Sequence, residues 1–191
     1  VAIMSSVRDP VDKQKILVLI ERLGAQSRGP GRVYLTGGAT ALLMGWRHTT
    51  LDVDLKLDPE PAGIFDSIRR LKDELQVNIE LAAPDQFLPP LPGWKERSVL
   101  IAVHASVEFY HYDLYSQALA KIERGHQQDA LDVREMLGRG IVDPRELLRL
   151  AHAIEADLVR YPAVDADTLY AKGDEALRAA TRSPDDNGGA K

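Results

Sequence analysis

The sequence predicts a mixed α/β (α+β) fold whose second half is entirely helical. Three observations predict it. Helical and strand periodicities alternate as far as Tyr112, only helical periodicity follows Asp113, and a strand carrying two acids comes shortly after a glycine pair. The elements follow in order along the chain.

From Pro10 to Leu23 the apolar residues Val11, Ile16, Leu17, Leu19, Ile20 and Leu23 recur at helical spacing, and Gly24 is read as the stop. Ser27 to Gly31 is a turn rich in glycine and proline, and Val33, Tyr34 and Leu35 then make a short buried strand. After Gly37-Gly38, the good helix formers from Ala39 to Met44 predict about two turns before Gly45. Leu51 to Leu57 is a strand with Leu51, Val53, Leu55 and Leu57 on one face and Asp52, Asp54 and Lys56 on the other, because successive side chains alternate. Pro61 opens a helix carrying Ile64, Phe65, Ile68, Leu71 and Leu75, and Val77 to Leu81 is the next strand. Four prolines make a loop of Pro84 to Gly93, and Ser98–Val103 with Ser106–Tyr110 reads as a hairpin. Helices are then predicted at Leu114–Arg124, Gln128–Leu137, Pro144–Val159 and Ala166–Ala180. The expected organisation is therefore a core over residues 1–112, a helical lobe over 113–181, and a polar, glycine-rich tail over 182–191 that is expected to be disordered.

Composition narrows the function classes. A chain of 191 residues with 45% hydrophobic residues suffices for one sizeable core. There is no cysteine, which excludes disulfides, thiolate metal sites and a cysteine nucleophile. The net charge of −5 argues against a protein that holds nucleic acid by being basic all over. The densest basic stretch, Arg69, Arg70 and Lys72, is flanked by Asp66, Asp73 and Glu74, as on a solvated helix face. No run approaches the roughly 20 apolar residues of a membrane span, and the apolar start VAIM is too short for a signal-peptide core. A cytoplasmic protein that spans no membrane is expected.

The chemistry is concentrated between Leu35 and Leu55. A glycine pair after a strand lets backbone approach a polyphosphate closely, and the helix that follows offers unpaired amides and a positive dipole end. Two acids one residue apart on a strand point the same way, with α-carbons about 6.5 to 7 Å apart. Asp52 and Asp54 can thus share a magnesium ion, which typically takes one or two carboxylates plus phosphate and water oxygens; manganese is the alternative ion. Arg47 can pair with phosphate through its planar fork. His48 is read equally as a phosphate contact or a loop residue. Trp46 and Trp94 are read as core or lid, Tyr110, Tyr112 and Tyr115 as seam fillers or a base-stacking group, and His126 as a cap or surface residue.

Gly37-Gly38, Arg47, Thr50, Asp52 and Asp54 together resemble the signature of minimal nucleotidyltransferases, which share a polymerase-β-like core. The arrangement is most similar to the DUF6036 and AbiEii group, whose members include the toxins of some bacterial toxin–antitoxin systems. The stretch from Tyr115 to Val133, with Lys121, Asp129 and Asp132, resembles that group's lysine followed by a paired-aspartate helix.

The resemblance implies a minimal nucleotidyltransferase core with a mixed sheet, a helical lobe, and a site between them. It implies transfer of a nucleoside monophosphate from a nucleoside triphosphate to an acceptor hydroxyl, on transfer RNA, a protein or a small molecule. Asp52 and Asp54 would hold the metal, with Gly37, Gly38, Arg47, Thr50 and Lys121 around the nucleotide. Asp129 and Asp132 belong to the same nucleotide-binding set, or are surface partners of Arg134 or Lys121. A third carboxylate is expected at Glu80, with Glu108 as its substitute. A cognate antitoxin is the partner the resemblance adds, and a catalytically inactive binding module of the same fold is the alternative.

Overall fold

The computed structural model describes residues 10–181. The expected tail, 182–191, lies outside the described residues. The chain forms two compact units: residues up to Ala83 with Ser98–Tyr112, and Pro84–Arg97 with the residues from Asp113 onward. Residues 84–97, expected in the core, thus belong with the second unit. The reason is local bonding, since Arg97 binds both carboxylate oxygens of Asp113, at 3.0 and 2.8 Å, and the Tyr161 hydroxyl donates to the Asp85 carbonyl at 3.0 Å.

In the first unit, α1 (Lys13–Gln26) starts at Asp12, whose side chain accepts the Lys15 amide. It runs two residues past Gly24, where a stop was expected. Gly24 is buried in the last turn, and a Cβ there would lie 2.4 Å from the Cβ of His104. The glycine serves close approach of a helix to a strand, not termination.

The strands are β1 (Gly31–Thr36), β2 (Asp52–Leu57), β3 (Asn78–Glu80), β4 (Val99–His104) and β5 (Val107–His111). They form one sheet in the order β3-β2-β1-β5-β4. β1 is antiparallel to β2 and parallel to β5, β2 is parallel to β3, and β4 and β5 form the antiparallel hairpin. The two helices between strands are α2 (Gly37–Leu43) and α3 (Ile64–Glu74). One sheet face supplies Val33, Leu35, Val53, Leu55, Ile79, Val107 and Phe109 to a core shared with Ile16, Leu19, Ile20 and Leu23 of α1 and with Ile64, Ile68 and Leu71 of α3. Strand alternation therefore sends Tyr34, Thr36, Asp52, Asp54, Asn78, Glu80, Glu108 and Tyr110 to the other face.

The second unit contains the short α4 (Trp94–Arg97), then α5 (Leu114–Arg124), α6 (Gln127–Gly138), α7 (Pro144–Ala153) and α8 (Ala166–Thr181). The helix predicted over 144–159 breaks at Ile154 into a tighter 3-10 segment, Glu155–Arg160. Asp113 and Asp143 cap α5 and α7 through their side chains. Among the described residues, no helix is long and apolar enough to cross a membrane.

Candidate active site

β2 and the β1–α2 turn build the site. Thr36 ends β1 opposite Asp54, and Gly37 follows with φ +60°. A Cβ on Gly37 would stand 2.9 Å from Asp54 Oδ2, and one on Gly38 would stand 2.1 Å from Thr50 Oγ1. Both positions require glycine: the first for its left-handed backbone and both for the side chains pressed against them. The glycine pair is thus fitted to the acid strand itself.

Thr50 anchors the start of that strand. Its backbone exchanges two hydrogen bonds with Val11, at 3.0 and 2.7 Å, and its hydroxyl donates to the Asp52 carbonyl at 3.0 Å. Arg47 is half-buried and brings a guanidinium nitrogen within 3.4 Å of where a Gly38 Cβ would be. An open cleft of about 290 Å³ is lined by Pro10, Arg47, Thr49, Thr50, Leu51 and Asp52.

β3 completes the polar face. Asp52 is in register with Asn78, and Asp54 with Glu80. Asn78 Nδ2 donates to Asp52 Oδ1 at 2.7 Å and to Glu80 Oε1 at 2.9 Å. Gly37, Gly38, Arg47, Thr50, Asp52, Asp54 and Glu80 therefore lie together in the first unit. Asn78 was missed by sequence reasoning, although its place two residues before Glu80 puts it on the same face.

Glu108 does not join them. On β5 it is in register with Arg32 of β1, four positions before the Thr36 that faces Asp54, or about 13 Å along the strand at ~3.3 Å per residue. There it accepts hydrogen bonds from Arg32 Nε at 2.7 Å and the Tyr110 hydroxyl at 3.0 Å, and those two donors hold its carboxyl below the ordinary range. Glu108 is corrected from substitute third carboxylate to a partner of Arg32.

Tyr34 stacks on Tyr110 at 5.4 Å and meets Tyr112 edge-on at 6.1 Å, with Tyr34 and Tyr112 fully buried. They fill the structure. In the second unit the Tyr115 hydroxyl accepts the Asp143 amide at 3.1 Å. His48 and His126 are exposed, and Trp46 and Trp94 are half-buried.

Lys121, Asp129 and Asp132 meet inside the second unit. The Lys121 ammonium donates to Asp132 Oδ2 at 2.5 Å and Asp129 Oδ1 at 3.2 Å, and all three residues are buried. Arg124 grips Asp129 with two bonds, 2.7 and 2.6 Å long. Burial alone would raise the Asp129 pKa, but Arg124 and Lys121 bring it below the ordinary value. These acids are buried partners of Lys121 rather than surface ones. Arg124 was missed because Gly125 separates it from the helix that carries Asp129.

The site has hard oxygen donors of the kind that suit a small dication. Among the described residues, no group of three acids or histidines is placed to hold a metal ion, and Asp52 and Asp54 are the paired oxygen donors that could take one.

A strand-borne acid pair beside a glycine turn, on the polar face of a mixed sheet, is an arrangement suited to phosphate chemistry. A family model described as "Nucleotidyltransferase of unknown function (DUF6036)" matches residues 15–178, and the chain belongs to that family. Transfer of a nucleotidyl group is the general kind of reaction this membership indicates. No curated protein and no solved structure matches the chain.

Proposed function

We propose that this chain transfers a nucleoside monophosphate from a nucleoside triphosphate to an acceptor hydroxyl, with magnesium, or manganese in its place, held by Asp52 and Asp54. The observation that carries the proposal is the alignment of these acids on one face of β2, against the Gly37 turn on one side and Glu80 on the other. A magnesium ion bound there would neutralise the triphosphate and favour ionisation of the acceptor.

The protein's own groups do the rest. The Arg47 guanidinium, in the cleft beside Asp52, pairs with phosphate oxygens. Gly37 and Gly38 leave room for the Asp54 and Thr50 side chains beside the turn. Glu80, exposed and in register with Asp54, takes the acceptor proton as the acceptor oxygen bonds to the α-phosphorus. The bond from the α-phosphorus to the bridging oxygen breaks, and pyrophosphate leaves. Catalysis is thus positioning plus charge neutralisation. Lys121, Asp129 and Asp132 enter as the buried scaffold of the second unit rather than as a triphosphate grip, because the ammonium is already committed to two carboxylates.

A second reading, a nucleotide-binding module without transfer activity, is favoured by one observation: among the described residues, no group of three acids or histidines is placed to hold a metal ion together. The test separates the two. α-Phosphate-labelled nucleoside triphosphates are offered, with magnesium, to the wild type and to Asp52→Ala/Asp54→Ala together with total RNA, protein and small-molecule extracts. Label transferred only by the wild type identifies donor and acceptor class. Magnesium-dependent nucleotide binding with no transfer to any pool establishes the binder, and no binding at all refutes both readings. A toxin restrained by an antitoxin is the biological form we propose for an active enzyme. Expression of the wild type would then arrest growth, and expression of Asp52→Ala would not.

A further inference from the structure

We propose that Asn78 is a positioning residue of this site, whose carboxamide ties Asp52 to Glu80 and orients the carboxylates for a divalent cation. The inference rests on Asp52 and Asp54 being the metal pair. Its starting point is the parallel register of β2 and β3, which sets Asn78 beside Asp52 and Glu80 beside Asp54. The two hydrogens of one Nδ2 atom are thereby divided between two different carboxylates, at 2.7 and 2.9 Å. The assignment of the amide is chemically forced: the flipped rotamer would set its carbonyl oxygen against both anions.

Three features suit this group to orient metal ligands. First, it spends only Oδ1 of Asp52, which leaves Oδ2 for another partner. Second, it is neutral. A lysine could hold the same acids, but its charge would offset theirs and lower the site's attraction for a dication, whereas a carboxamide leaves that charge in place. Third, Glu80 is exposed on a three-residue strand at the end of the sheet order, where a free glutamate samples many rotamers. Its bond to Asn78 restrains it beside the acid pair. Hydrogen bonds that orient metal-binding carboxylates typically contribute roughly 10- to 100-fold in metal affinity. The amide also withdraws a little charge from Asp52, which acts in the opposite direction, but one neutral donor is a smaller effect than loss of orientation.

The experiment is Mn²⁺ titration of the metal-free full chain, followed by the electron paramagnetic resonance of the free ion. Wild type, Asp52→Ala, Asn78→Ala and Asn78→Ser are compared after circular dichroism has confirmed folding. Asp52→Ala is expected to abolish binding and Asn78→Ala to weaken it roughly 10- to 100-fold. Asn78→Ser, which retains one hydroxyl donor, should fall between wild type and Asn78→Ala. In the metal-free wild type, the two Asn78 side-chain amide protons should give separate nitrogen-correlated NMR signals, and Asp52→Ala should move one much more than the other. Asn78→Ala that binds Mn²⁺ as tightly as wild type overturns the proposal; if that variant does not fold, wild-type affinity in Asn78→Ser overturns it. Wild type that binds no Mn²⁺ defeats the underlying reading of the acid pair, and the proposal with it. That failure is distinct from Mn²⁺ binding that needs Asp52 but ignores Asn78.

Discussion

Replacing Lys121 with methionine keeps the length of the side chain and removes its charge, leaving Asp132 buried without its cation. The two N–O distances, 2.5 and 3.2 Å, correspond to gross attractions of about 5 to 7 kcal/mol each at an effective dielectric near 20. Desolvation of the three ions cancels much of that, and removing one member of a buried pair typically costs about 3 to 5 kcal/mol. Asp129 keeps both of its bonds to Arg124, so the lower end applies, about 3 kcal/mol. The assay is urea unfolding followed by far-ultraviolet circular dichroism, with Lys121→Met compared to Lys121→Met/Asp132→Asn. The double variant also removes the Asp132 charge while Arg124 and Asp129 stay balanced, so it should recover at least half of the loss. A single-variant loss below about 1 kcal/mol, the range of exposed pairs, would refute the buried-scaffold reasoning. So would a double variant no more stable than the single, and nucleotide contact by Lys121 would then regain its place.

Three further outcomes are expected. Burial lowers the His111 pKa to about 4 from 6.5, so the unfolded chain binds more protons between those values and stability falls as pH drops through that window. The loss approaches about 3 kcal/mol near pH 4, and urea midpoints of His111→Gln should be flatter than those of wild type between pH 6.5 and 4. Gly38→Ala puts a methyl 2.1 Å from Thr50 Oγ1, so Thr50 and the neighbouring Arg47 must move. That overpacking should cost about 1 to 3 kcal/mol in thermal unfolding and abolish label transfer. Asp113→Ala removes the α5 cap and the partner of Arg97 together; the expected destabilisation is about 4 kcal/mol in urea unfolding, against less than about 1 kcal/mol for the exposed control Asp157→Ala.

Much of the fold was legible because it is written in local periodicity. The alternation from Asp52 to Lys56 was enough to place both acids on one face of a strand, and helices such as Leu114–Arg124 followed from apolar spacing. Gly37 and Gly38 were legible as a special turn, although the side chains that demand them, Asp54 and Thr50, come from elsewhere in the chain. Gly24 misled because glycine favours helix ends in general, while the contact that requires it here is with His104, far along the sequence.

The sequence by itself determined the order and type of most elements and the faces of the strands. Beyond the β4–β5 hairpin, only the tertiary structure decided which strands are neighbours. The order β3-β2-β1-β5-β4 brings Asn78 and Glu80 to the acids and sets Glu108 down the sheet against Arg32. Tertiary packing also buried Lys121 with its aspartates, a lysine that the resemblance had set around the nucleotide. Periodicity is a property of a few consecutive residues, whereas strand register and burial are settled by contacts between segments distant in the chain, which a single sequence does not record.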